Sequence, residues 1–126
     1  MRVVDTDVLI DDLRNHADAM AFVEGNLPSL RVSTVSVAEL YAGVREGAER
    51  ERLVTFLNGL EIVPVSREIA EIAGLFKRRF GRSHTVEIPD ALIAATAALN
   101  GWSLATLNTR HFPMLTDVFV PYRKPF

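Results

Sequence analysis

Apolar and polar positions fall in short blocks along this chain, and their spacing switches repeatedly between strand-like and helix-like. Residues 2–4 are a short run with two valines that stops at Asp5, which predicts a strand, with Thr6 or Asp7 placed to cap the helix behind it. From 7 to 27, Val8, Leu9, Leu13, Met20, Phe22 and Val23 recur at helical spacing, and the polar pair Asn15-His16 divides them into two helices before Pro28. Residues 30–33 predict a second strand. Ser36 opens a helix to about Glu46, with Val37, Leu40, Tyr41 and Val44 on one face and Gly47 at its end. Leu53, Phe56, Leu57 and Leu60 predict a helix over 49–60. Residues 61–65 form a third strand, in which Pro64 favours an edge position. Ser66 caps a helix that reaches Phe80 and closes at Gly81, and 82–87 is a polar loop. Pro89 suits the first turn of an alanine-rich helix that runs to Leu99 and ends at Asn100-Gly101. Residues 103–106 and 118–120 are strands, with a short turn or helix over 108–112.

Strands this short and apolar, alternating with helices, argue for a parallel sheet sandwiched between helical layers. With no repeat, linker or low-complexity tract, the 126 residues read as one α/β domain. Composition then removes several function classes. The chain is 48% hydrophobic and 24% charged, a globular balance that excludes disorder. No apolar run is long enough for a membrane span, and an acidic fifth residue argues against a signal peptide. The absence of cysteine excludes a disulfide framework, thiolate zinc and a cysteine nucleophile, and suits a cytoplasmic protein. A net charge of −2 means that any nucleic-acid site must rest on local charge.

The candidate chemistry lies with carboxylates. In an open α/β sheet, ligands bind beyond the carboxyl ends of the strands. Asp5 ends the first strand, Glu39 falls in the first turn of the helix after the second, Asp90 follows Pro89 at a helix start, and Asn108 follows the strand 103–106. Each also has a structural use. Ser36-x-x-Glu39 matches a capping box, and Asp7 and Asp90 suit helix N-termini. Together, however, several carboxylates on one rim repel one another, and a hard divalent cation offsets that repulsion. Metal-assisted hydrolysis is the chemical class such a cluster fits.

These residues carry a resemblance. Val3-Val4-Asp5-Thr6-Asp7-Val8-Leu9-Ile10 resembles the opening motif of PIN-domain nucleases. The stretch from Ser33 to Gly43, with Glu39 in the acidic place, resembles their second motif. Ile88-Pro89-Asp90-Ala91-Leu92-Ile93-Ala94-Ala95 resembles the third, and the stretch from Leu104 to Phe112 the fourth. The match spans essentially the whole chain in order, and Glu39-Leu40-Tyr41-Ala42-Gly43 looks especially like the VapC group of toxins. The resemblance implies a PIN-like three-layer α/β/α domain with a central, mostly parallel sheet of four or five strands. It implies an endoribonuclease using Mg²⁺ or Mn²⁺, RNA as substrate, a VapB-type antitoxin that blocks the site, and a homodimer. Asp5, Glu39 and Asp90 are then the expected metal ligands, with Asp7, Asn108, Thr6 and Thr106 in support. Asn108 stands where many relatives carry Asp, Asp7 where Asn or Ser is common, and Asp117 is a further acidic candidate.

Arg110 is placed to meet a phosphate or a partner carboxylate. Lys77, Arg78, Arg79 and Arg82 form a basic cluster that either complements a helix C-terminus or tracks an RNA backbone or an acidic antitoxin segment. His16, His84 and His111 have no zinc spacing, so His111 reads as packing or a substrate contact. The face of Leu40, Tyr41 and Val44 reads as core or as a dimer or antitoxin groove. Two other readings compete: a PIN-like binding module that has lost activity, and a haloacid-dehalogenase-like phosphatase in which the first Asp of Asp5-Thr6-Asp7 is the nucleophile.

Overall fold

The computed structural model describes residues 1–124. Five strands, β1 (Arg2–Val4), β2 (Leu30–Ser33), β3 (Glu61–Val63), β4 (Ser103–Ala105) and β5 (Val118–Phe119), form one sheet. Its order is β3-β2-β1-β4-β5 and every neighbouring pair is parallel. The helices are α1 (Thr6–Leu13), α2 (Ala17–Asn26), α3 (Thr34–Gly43), α4 (Ala48–Asn58), α5 (Arg67–Phe80) and α6 (Ile88–Asn100). The fold is thus a three-layer α/β/α sandwich on an entirely parallel sheet, with β3 at an edge as expected from Pro64.

The period-2 pleat divides the central strands between the layers. Val4, Leu30 and Val32 pack against Val8, Leu9, Val23, Leu40, Leu53 and Leu57 of α1 to α4. Val3 and Leu104 face the other way, onto Ile93, Ala94 and Ala97 of α6 and onto Phe112. Ala91 and Ala95 of α6 and Ala73 of α5 let that helix pair approach closely, with Ile69 and Val86 filling the seam.

Several boundaries differ from the expected ones, each for a local reason. Asp5, not Thr6 or Asp7, caps α1, because its own carboxylate accepts from the Thr6 N–H at 2.8 Å. The helix after β2 starts at Thr34 rather than Ser36, since Ser33 is already a competent cap whose Oγ accepts from Val35 N at 3.0 Å. The capping box from Ser36 to Glu39 is therefore absent, and Glu39 lies in the second turn. α3 stops at Gly43, where Val44 turns extended; Gly47, at φ 94°, instead leads into α4. At that φ a side chain would be strained, so the position needs glycine. Gly101 closes α6 at φ 67° for the same reason.

Beyond β5 the chain returns over α1. Tyr122 Oη donates to Asp11 Oδ2 and Lys124 Nζ to Asp11 Oδ1, both at 2.8 Å, and the Tyr122 ring stacks on His16 with centroids 5.1 Å apart. Burial alone would raise the Asp11 carboxyl, but the bonds from Lys124 and Tyr122 outweigh it and hold the group below its ordinary 3.8. A depressed folded-state value makes this contribution to stability complete above pH 3.8 and lost as pH falls below it. Removing the Tyr122 hydroxyl (Tyr122→Phe) is expected to cost about 1.5 kcal/mol at neutral pH. Lys124→Ala should cost less than about 1 kcal/mol, since that amine is half exposed. Urea titrations at pH 7 and pH 3 check both, and the Tyr122→Phe penalty should shrink at the lower pH.

Candidate active site

All five strands point the same way, so the residues just past their carboxyl ends share one rim. Asp5 is fixed there by β1: its N–H donates to Ala105 O at 2.9 Å, and its side chain is only 7% exposed. One carboxylate oxygen caps α1, and the other accepts from Thr106 Oγ1 at 2.7 Å. Thr106, fully buried just past β4, also accepts from Asn108 N at 3.1 Å, so its hydroxyl ties the β4 loop to Asp5. Asp7 Oδ2 accepts from Leu107 N at 3.0 Å and lies 3.4 Å from Thr106 Oγ1.

A second chain of hydrogen bonds leads to α3. Thr6 Oγ1 donates to Glu39 Oε1 at 2.8 Å. With its one proton used there, Thr6 accepts from the buried Ser36 Oγ at 2.8 Å. Glu39 thereby leans toward α1 from an exposed position. Asp90, in the first turn of α6, approaches from the opposite layer. The His111 ring sits beside it, with Nδ1 3.5 Å from Asp90 Oδ2 and 3.2 Å from the Asn108 amide nitrogen.

The electrostatics are those of crowded acids. Burial pushes the Asp5 carboxyl up to about 7, with repulsion from Asp7 and Asp90 adding to it and the bonds from Thr106 and Thr6 opposing it. Burial likewise raises Asp7, against bonds from Leu107 and Val8. Burial raises Asp90 too; His111 opposes the shift while Glu39 and Glu87 reinforce it. Among the described residues, no lysine or arginine lies within 4 Å of these carboxylates. An all-oxygen donor set with uncompensated negative charge fits a hard divalent cation. Among the described residues, no three acidic or histidine side chains close on one point at ligating distance, so Asp5, Glu39 and Asp90 share the rim as an open set.

Of the remaining expected residues, Arg110 is exposed on the 3-10 turn Thr109–His111 with no carboxylate partner among the described residues. Asp117 precedes β5, where its carbonyl accepts from Leu104 N. That is the amino end of the strands, away from the rim, so Asp117 does not complete the site. Two residues were missed by sequence reasoning. The sequence pattern makes Ser36 a helix opener, yet its buried hydroxyl supports Thr6. The sequence pattern makes His111 a packing residue or a substrate contact, and the structure turns it to Asp90; its three-residue step from Asn108 within one turn is the available signal.

Replacing Thr106 with the isosteric Val removes the donor to a buried carboxylate and strips Asn108 N of its acceptor. Thr106→Val is expected to cost about 2–3 kcal/mol in stability. If the expected RNA cleavage is assayed alongside denaturation, activity should also be lower by about tenfold, the kinetic equivalent of about 1.4 kcal/mol in positioning.

Beside Glu39 opens a groove of about 820 Å³ between α1, α3 and α4. Leu40 and Val44 line it together with Arg14, Arg45 and Arg52.

The PIN domain family model matches residues 2–115. Ribonuclease VapC10 of Mycobacterium tuberculosis is 40% identical over 128 residues, covering 99% of this chain and 96% of its own. Ribonuclease VapC19 of the same organism is 37% identical, covering 97% of this chain and all of its own. A solved toxin–antitoxin complex from Klebsiella pneumoniae contains a chain that superposes with a TM-score of 0.85 at 27% identity, covering 98% of this chain and all of that one. With the family model matching residues 2–115 and full-length relatives at 37–40% identity, this chain belongs to the PIN-domain family.

Proposed function

We propose that this chain is a divalent-metal-dependent endoribonuclease, the VapC-type toxin of a toxin–antitoxin pair. The observation that carries the reading is Asp5: a buried carboxylate, raised by burial and by its acidic neighbours, on the rim it shares with Asp7, Glu39 and Asp90. Asp5, Glu39 and Asp90 would hold Mg²⁺ or Mn²⁺. A bound ion of that kind supplies Lewis acidity, polarising a phosphodiester and making water a competent nucleophile near neutral pH.

The chain's own residues set the geometry. Thr106 and the Thr6 N–H take one lone pair from each Asp5 oxygen and fix the carboxylate plane, leaving the outward lone pairs for ligation. Thr6, backed by Ser36, orients Glu39. His111 flanks Asp90 and is itself met by the Asn108 amide, and the exposed Arg110 would meet the phosphate. Water attack in line with the leaving 3′-oxygen gives a 5′-phosphate and a 3′-hydroxyl. The phosphatase reading requires Asp5 as a nucleophile, and membership of the PIN-domain family points elsewhere. A silent binding module would rest on Asn108, whose amide is turned to His111; metal binding without turnover would favour it.

The groove between α1, α3 and α4 is the surface we assign to a VapB-type antitoxin segment, whose seat there would cover Glu39. Homodimer formation and a cytoplasmic location complete the proposal, with the entire chain acting as one domain. Among the described residues, no helix is long and apolar enough to cross a membrane.

Removing the metal is the test. Purified protein incubated with total RNA should cut in Mg²⁺ or Mn²⁺ and lose at least about 10³-fold of its rate in EDTA. Cleavage persisting in EDTA would refute the proposal.

A further inference from the structure

The last turn of α5 carries Lys77, Arg78 and Arg79, and Arg82 follows in the loop; of these four cations, only Lys77 has a hydrogen-bond or carboxylate partner among the described residues. Lys77 Nζ donates to Val86 O at 2.8 Å and lies 3.7 Å from Glu87, the residue that caps α6. This clamp holds the end of α5 against the start of α6, within a turn of Asp90. Arg78, Arg79 and Arg82 are exposed and have no carboxylate within 4 Å among the described residues. The other exposed arginines of helices α4 and α5 each have a polar partner: Arg50 and Arg67 pair with a glutamate one turn away, and Arg52 donates to Asn15 Oδ1 at 2.7 Å. Helix-dipole compensation explains a cation at this terminus but not three guanidinium groups without a carboxylate partner among the described residues, in a chain of net charge −2.

The loop that follows has a defined shape. Gly81 packs so closely on Lys77 O that a Cβ would lie 2.6 Å away, and Thr85 holds φ 55°, a costly conformation for a β-branched residue. The Arg79 guanidinium lies 5.1 Å from the Phe80 ring centroid, and the His84 ring meets Phe80 edge-on at 5.8 Å. Guanidinium and aromatic faces held in this way suit phosphates and unstacked bases of a single strand.

We propose that the end of α5 and the 82–87 loop form a single-stranded RNA subsite, with Arg78, Arg79 and Arg82 holding phosphates that lie beside the scissile one at Asp90. The inference rests on the ribonuclease reading for its substrate class. An RNA strand is favoured over an acidic protein segment because the patch adjoins the Asp90 end of the rim and pairs its charge with π faces.

The test measures binding separately from cleavage. A labelled single-stranded RNA of about twelve nucleotides, a length spanning such a subsite and the rim, is titrated by anisotropy onto the Asp5→Asn full chain at several salt concentrations. In that background, Arg78→Ala/Arg79→Ala/Arg82→Ala should weaken binding at least about tenfold and make the log–log salt slope shallower by about two. Arg67→Ala, at the other end of α5, should change neither, and the triple lysine variant should regain most of the slope. An unchanged affinity and slope in the triple alanine variant would overturn the proposal. So would lost binding to polyglutamate with RNA binding intact, which marks an acidic partner, or a changed mass in sedimentation, which marks a contact between copies. If the wild-type chain cuts no RNA while the arginine-dependent binding is present, the subsite stands and the ribonuclease reading falls.

Discussion

Asp5→Asn is expected to lower RNA cleavage by at least about 10³-fold, about 4 kcal/mol of transition-state stabilisation, while making the metal-free protein more stable. The two effects share one cause. Asp5 is held in a buried position between Thr6 and Thr106, where its charge is opposed by burial and then by Asp7 and Asp90. A carboxyl raised from 3.8 to about 7 stabilises the fold fully below pH 3.8 and loses that contribution as pH rises through 7. At pH 8 the ionised group therefore opposes folding by on the order of 2–4 kcal/mol. Asn removes the charge but presents an amide N–H to one of two donors, returning about 1–2 kcal/mol of that gain. The net expectation is a protein about 1–2 kcal/mol more stable at pH 8 in EDTA. Its stability should also decline less between pH 4 and pH 7 than that of the wild type. Urea titrations across that range measure this directly, and parallel pH profiles for the two proteins would contradict the electrostatic account.

Phe112→Ala is expected to destabilise the chain by about 3–5 kcal/mol, a large part of the ~5–15 kcal/mol typical of a domain. Phe112 is among the largest fully buried side chains, packed with Val3, Ile93, Ala94 and Leu104. It also anchors the loop that carries the site: its N–H donates to Thr109 O at 3.0 Å, closing the turn that places His111 beside Asp90 and Asn108 against His111. Loss of the ring should therefore lower activity as well as stability, even at temperatures where the variant stays folded. Phe112→Leu, which keeps most of the volume, should cost about 1–1.5 kcal/mol and keep most of the activity. Equal losses in the two variants would show that packing volume is not what fixes the turn.

Much of this arrangement was legible in the sequence because it is locally encoded. Asp5 terminates a β-branched run, and Asp90 follows a proline suited to a helix start; both landed on the rim. Ser66 and Gly101 likewise mark their helix ends without help from distant residues. The α3 boundary was less legible because Ser33 and Ser36 are both good caps, and the pattern alone does not rank them. Ser33 wins as the cap, which frees Ser36 to be buried against Thr6, thirty residues away. The bond from Tyr122 to Asp11 joins residues 111 positions apart, and no periodicity predicts it. His111 was weighed as a lone histidine, whereas its meaning comes from Asp90 arriving on another element.

Water, rather than the RNA's own 2′-hydroxyl, is the attacking group in the proposed reaction. The most direct test is the chemistry of the product ends after cleavage in Mg²⁺. Fragments carrying 5′-phosphate and 3′-hydroxyl ends, absent with EDTA and with Asp5→Asn, are the predicted result. Fragments ending in 2′,3′-cyclic phosphate, or cleavage that survives in EDTA, would contradict it.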